Sequence, residues 1–204
     1  MTEKLVEQEP MFLRGVEEHP KPSVYRELIE RAKTTGGDSW QIWHLLAFDP
    51  EAAHSLAALS QALMHNEAPL SAGLRELIAA YTSSLNQCEF CMKAHGAVAA
   101  KLLGDEELVW EAIRNPEQSK LSNKEKALLR FVRMVTLAPA TIVAKDTADL
   151  NDAGWDDAAI FYAISACALF NFYNRWVLSS GVHPVSDEAC ERLATRMAAS
   201  GYVR

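Results

Sequence analysis

No stretch of this 204-residue chain approaches the roughly 20 consecutive apolar residues that a membrane span requires. The N-terminus, MTEKLVEQEP, lacks the basic-then-apolar order of an export signal, so a cytoplasmic protein is expected. Strand signals are equally scarce. Valine and isoleucine do not alternate with polar residues, and no Asn-Gly or Asp-Gly pair offers a hairpin turn. Basic residues are outnumbered, 20 against 27 acidic, for a net charge of −7. The densest basic stretch, KLSNKEKALLR, carries only Lys120, Lys124, Lys126 and Arg130 around a helix start. A nucleic-acid-binding face gathers such residues in greater number, so none is expected. Motifs for flavin, haem or nucleotide are missing too, and no cofactor is expected.

What remains is ordinary soluble composition, 49% hydrophobic and 23% charged, divided by helix punctuation. Pro22 starts one helix and Gly36 and Gly37 lie beyond its end. Asp49 and Pro50 open a second, and Ser71 caps a third in which Leu74, Leu77, Ile78 and Tyr81 recur at helical spacing. Ser122 and Glu125 form a capping box for another, which ends before Pro139. Further helices run to Gly154, from Asp157 to about Ser180, and through SDEACERLATRMAASG. The pattern predicts an all-α, single-domain bundle of eight or nine helices over residues 21–204. Residues 1–20 are expected to form an arm or cap. The helix at 157–180 is apolar over more than one stripe, so it is either central to its domain or shared with another subunit.

Chemistry concentrates in NQCEFCMKAHG, residues 86–96. A helix starting near Cys88 places Cys88 and Cys91 in its first turn, where free backbone N–H groups and the helix dipole favour a thiolate. Cys91 and His95 are four apart and share a face, so His95 is positioned to take the thiol proton. Glu76, twelve residues before Cys88, returns along an antiparallel hairpin. Two readings stay open for it: an approach to His95 that fixes the imidazole tautomer, or a surface carboxylate beside Arg75. Cys167 and Cys190, remote and in apolar settings, read as small buried hydrophobes.

The stretch LRELIAAYTSSLNQCEFCMKAHG resembles the signature of the carboxymuconolactone decarboxylase superfamily, in its alkylhydroperoxidase D-like branch. That signature is a glutamate, about eleven residues, Cys-x-x-Cys, three residues and a histidine, filled here by Glu76, Cys88, Cys91 and His95. PLSAGLRE and FNFYNRWVLSSGVHPV are also similar to peroxidase-related members. The resemblance implies catalytic roles for those four residues in a thiol-dependent peroxidase or disulfide oxidoreductase with a Glu76–His95 proton relay. It implies a homo-oligomer, a trimer or hexamer, acting on a hydroperoxide and renewed by a dithiol, thioredoxin-like or lipoyl-type reductant. Cys91, beside His95, is expected to be the peroxidatic thiol, although the reverse assignment stays open because the first cysteine of many Cys-x-x-Cys sites is the reactive one. Cys88, expected to be the more exposed, resolves it and meets the reductant. One departure is visible: Glu89 and Phe90 stand between the cysteines, where the best-known members carry a histidine.

Two duller readings compete. Cys88, Cys91, His95 and Glu76 are legitimate zinc ligands, but structural zinc draws its ligands from two knuckles and no second pair is present, so no metal is expected. Alternatively the chain is a non-enzymatic oligomeric binding protein with a vestigial site. Among other residues, His44 reads as a packing histidine, and His183 follows a helix C-cap. Asn174 and Arg175 need partners inside so apolar a helix, and Arg175 suggests an interhelical or intersubunit salt bridge.

Overall fold

Described over residues 9–203, the computed structural model is all-α, with no strand among those residues. The helices are α1 (Arg14–Glu18), α2 (Val24–Thr35), α3 (Ile42–Phe48), α4 (Pro50–Ser60), α5 (Ala72–Leu85) and α6 (Glu89–Leu103). They continue with α7 (Glu106–Arg114), α8 (Asn123–Leu137), α9 (Ala144–Asp152), α10 (Asp157–Ser180) and α11 (Asp187–Ser200). Eleven helices among the described residues exceed the expected eight or nine. The surplus comes from short elements: α1 has five residues and α3 seven, too few turns for a periodic apolar stripe to stand out. Of the expected arm at residues 1–20, positions 1–8 lie outside the described residues.

Caps set the helix starts where the sequence placed them. Ser71 accepts from the Leu74 N–H, and Ser122 and Glu125 exchange both capping-box bonds. Such caps each contribute ~1 kcal/mol by satisfying donors that the first turn leaves free.

α5 and α6 pack along each other as an antiparallel hairpin, α11 lies on α6, and α8 and α10 lie on α5. Gly73 permits the close approach, because a Cβ there would run into the Leu103 side chain. The main core forms where Leu77 and Ile78 of α5 meet Leu128, Leu129 and Val132 of α8 and Phe170 of α10. Each such side chain contributes ~1.5–3 kcal/mol on burial.

A second apolar cluster joins Met11, Trp40, Phe90 and Val182 around the two cysteines. It is closed by the segment before α1: the Phe12 N–H donates to the Ser180 carbonyl, tying the N-terminal strap to the end of α10. α10 buries Ile160, Ala163, Cys167, Phe170, Asn174 and Val177 on one side, but leaves Phe161 59% and Phe172 47% exposed on the other.

Candidate active site

The turn between α5 and α6 places the thiols. Asn86 and Gln87 close the end of α5 on the carbonyls of Thr82 and Ser84, and the Cys88 N–H donates to Ser83 O at 2.8 Å. Gln87 takes φ +57°, a left-handed conformation that costs a non-glycine residue on the order of 1 kcal/mol. Asn86 offsets it by donating to Asn171 Oδ1 (3.1 Å) and Asn174 Oδ1 (2.9 Å) on α10. Cys88 becomes the N-cap of α6, and Cys91 follows at the third helical position.

Glu76 is not a surface carboxylate. It is buried with its Oε2 2.7 Å from His95 Nδ1. Arg75 beside it turns away, donating to the carbonyls of Leu63 (2.8 Å) and Asn66 (2.6 Å). The second oxygen of Glu76 is taken as well: Tyr202 donates its hydroxyl to Oε1 at 2.7 Å. The Tyr202 ring lies parallel to the imidazole, 8° between planes, and Phe170 meets His95 edge-on at 4.4 Å. With Nδ1–H bound to the carboxylate, His95 keeps Nε2 as its acceptor nitrogen. Burial together with Glu76 holds the Tyr202 phenol well above its ordinary value, so it stays a donor.

Tyr202 was not foreseeable from the motif. It arrives on the tail after α11, where Gly201 takes φ +67° and the Tyr202 N–H reaches Gln61 Oε1 at 2.7 Å. A Cβ at Gly201 would collide with Gln61 and His65, so this turn is closed to other residues. Gln61 itself begins a π-helical turn, Gln61–His65, that extends α4.

Both thiols are buried, Cys88 0% and Cys91 2% exposed, which corrects the expectation that Cys88 is the more accessible. They lie in one apolar cluster with Met11 of the N-terminal strap, Trp40, Phe90 and Val182. The two thiols are shifted in opposite directions. Cys88 is shifted down, first because the Cys91 thiol donates to it, with the Cys91 backbone N–H and the Asn174 amide facing the same sulfur. Cys91 is shifted up, because it is the donor of that bond and is deeply desolvated. Of the two, Cys88 is the sulfur on which a thiolate is the more favoured. Asn174 is held in place by donating to Ser83 Oγ at 2.9 Å, which explains a polar residue inside α10.

Cys91 and His95 open onto one cavity of about 120 Å³, and Cys88 does not line it. Its wall is mostly aromatic: Trp40, Trp43, Phe90, Phe170, Tyr173 and Tyr202, with Arg196 from α11 as its cation.

Residues 50–134, which hold α4 to α7, most of α8 and all four predicted site residues, match the model of the carboxymuconolactone decarboxylase family. The chain has that family's alkylhydroperoxidase D-like fold. An uncharacterised peroxidase-related protein from Silicibacter sp. TM1040 is similar at 28% identity, over 88% of this chain and 94% of that one, with a TM-score of 0.75. The alkylhydroperoxidase AhpD core protein from Ralstonia eutropha JMP134, also peroxidase-related, gives 24% identity over 85% and 90%, and a TM-score of 0.73. The debrominase Bmp8, solved with 2,3,4-tribromopyrrole, shares the fold at 18% identity, 88% and 95% coverage, and a TM-score of 0.66. No curated protein matches the sequence.

Set in the alkylhydroperoxidase D-like frame, the residues outside the hairpin divide clearly. Cys167 and Cys190 are buried and shifted up by desolvation, Cys190 to about 11, as inert thiols should be. His44 is a packing histidine whose Nδ1 lies 2.7 Å from the Glu17 carbonyl. The His183 N–H donates to Gln41 Oε1. Arg175, expected to form an interhelical or intersubunit salt bridge, donates within this chain to the carbonyl and side chain of Asn171, both at 2.8 Å. Among the described residues no group of three or more His, Cys, Asp or Glu is arranged to hold a metal, and no helix is long and apolar enough to cross a membrane.

Proposed function

We propose that this chain is a thiol-dependent peroxidase, reducing organic hydroperoxides with Cys88 and Cys91. The observation that carries the reading is the chain Tyr202–Glu76–His95, which ends on the same cavity wall as Cys91 while Cys88 waits behind it.

In this reading Cys91 is the peroxidatic thiol because it alone of the pair borders the cavity. Its proton passes to His95 Nε2, and the thiolate attacks the terminal peroxide oxygen. The S–O bond forms as the O–O bond breaks, and the departing alkoxide takes the proton from His95, leaving an alcohol and a Cys91 sulfenic acid. Cys88 then attacks the Cys91 sulfur. Hydroxide leaves with the remaining thiol proton as water, and the 88–91 disulfide closes. The sum is dithiol plus hydroperoxide giving disulfide, alcohol and water. Glu76 touches no reacting atom; it is a positioning residue that fixes the imidazole tautomer. A dithiol reductant, thioredoxin-like or lipoyl-type, renews the pair by exchange. Since Cys88 is buried in one cluster with Met11 of the strap, that exchange requires the strap to yield or the attack to come through the cavity onto Cys91.

Peptide mapping after one equivalent of cumene hydroperoxide tests the reading. The expected result is a dominant Cys88–Cys91 bridge, one equivalent of alcohol, and Cys167 and Cys190 still reduced. Unchanged thiols would remove the peroxidase reading and leave a binding protein with a vestigial site. A zinc ion bound by the reduced protein and lost on Cys88→Ser would favour the metal reading instead.

A further inference from the structure

We propose that the cavity beside Cys91 is a binding site for a compact, ring-bearing organic carboxylate, with Arg196 taking the charge. It deepens the peroxidase reading by naming a substrate class, and rests on it only for what is done to the ligand, not for binding.

Three arginines show why Arg196 is the exception. Arg192, one turn earlier on α11, is exposed and forms a two-pronged ion pair with Asp38 at 2.8 and 2.6 Å. Arg75 is more deeply buried and its Nε also lacks an acceptor, but both its terminal nitrogens are taken by backbone carbonyls and it does not line this cavity. Arg196 is half-buried and lines the cavity, yet what holds it is a single bond from Nη1 to the Gly201 carbonyl at 3.1 Å. Its Nε is buried with no acceptor, and no carboxylate of the described residues forms an ion pair with it. A guanidinium taken out of water without an anion is costly, and the charge is already strained by burial. In a chain carrying seven excess negative charges, a cation left without an anion on the wall of a cavity makes sense if the compensating anion arrives with the ligand. A carboxylate suits the planar fork, which binds it through two parallel bonds.

The rest of the cavity sets the ligand's body. Trp40, Trp43, Phe90 and Phe170 offer ring faces and edges, and its volume, about 120 Å³, is near the ~150 Å³ of an apolar cavity that takes benzene. Cys91 and His95 line the same cavity, so a ligand held there by Arg196 shares its walls with the thiol and the imidazole. The substrate class is therefore a small aromatic hydroperoxide bearing a carboxylate. Arg196 also holds the Gly201 carbonyl, so the ligand would touch the tail that delivers Tyr202 to Glu76.

Benzoate and benzyl alcohol, which carry no peroxide, separate binding from chemistry. The fluorescence of Trp40 and Trp43 in the cavity wall is the readout. The parent protein should bind benzoate at least ~10-fold more tightly than benzyl alcohol. Arg196→Gln should lose ~10–100-fold for benzoate, as expected for hydrogen bonds to a charged group, and little for benzyl alcohol. Arg196→Lys keeps a cation but not the fork, and should lose part of the preference; it serves if the glutamine variant folds poorly. Equal binding of the two probes by the parent, no binding of either, or benzoate binding unaffected in both variants overturns the proposal. If benzoate binding depends on Arg196 but cumene hydroperoxide leaves the thiols untouched, the site stands and the peroxidase reading falls. If peroxide oxidises the thiols but no Arg196-dependent preference for benzoate exists, the peroxidase reading stands and the carboxylate site falls.

Discussion

Tyr202 and Glu76, 126 residues apart, meet through a 2.7 Å hydrogen bond that occupies the carboxylate oxygen left free by His95. The bond makes the C-terminal tail part of the site. Tyr202→Phe leaves Glu76 Oε1 buried without its donor, a defect worth ~1–3 kcal/mol, so the melting temperature should fall measurably. Peroxide-driven disulfide formation should slow by about tenfold. A merely structural tyrosine would act independently of Glu76, whereas a positioning one would not: the double variant Tyr202→Phe, Glu76→Gln should react no more slowly than Glu76→Gln alone. Additive losses would reduce Tyr202 to packing.

His95 should matter for rate far more than for folding. His95→Gln removes the proton acceptor, and general-base assistance typically contributes ~10²–10⁴-fold, so single-turnover oxidation should fall by that order. Glu76→Gln should lose less, since the imidazole remains and only its orientation suffers. Stopped-flow measurement with a small alkyl hydroperoxide, beside thermal melts of each variant, separates the two effects. Oxidation of folded His95→Gln at the parent rate would leave a Cys-x-x-Cys activated by its helix alone.

The thiol shifts predict a pH signature. A lowered pKa means the anion exists at lower pH, so one thiolate of the Cys88–Cys91 pair should form below the ordinary thiol range. Raised values mean the reverse: Cys167 should ionise above that range and Cys190 near about 11. Ultraviolet thiolate absorbance follows this without a reagent having to reach buried sulfur. In Cys88→Ser the low-pH step should vanish; its persistence would place that thiolate elsewhere.

The outer face of α10 predicts assembly. Phe161 and Phe172 are too exposed for a lone subunit to leave uncovered at no cost, and the family resemblance implies a trimer or hexamer. Light scattering at micromolar concentration should give a whole multiple of 22.6 kDa, and Phe172→Asp should lower that mass. A stable parent monomer would show that the face stays bare.

The hairpin was legible because every device in it is local. Ser71 finds its N–H three residues on, Cys91 and His95 share a face by helical period alone, and the short turn after Leu85 forces α6 back along α5. Even so, spacing left Glu76 undecided between His95 and the surface. Burial decided it, by turning Arg75 to the carbonyls of Leu63 and Asn66 and leaving Glu76 facing the imidazole.

Caps, breakers and periodicity act within a few residues of one another, so the chain's own order was enough to specify the longer helices, the fold class and the four motif residues, but not short elements such as α1 and α3. Long-range packing chose which thiol borders the cavity, which is the more easily ionised, and which residues complete the site. Tyr202 comes 107 positions after His95, in a tail too short for any periodic signal, and Arg196 looks like the other basic residues of an amphipathic helix. Their roles arise from contacts that exist only once α11 is laid along α6, when the tail is carried to Gln61 and the Arg196 guanidinium is brought to the cavity wall.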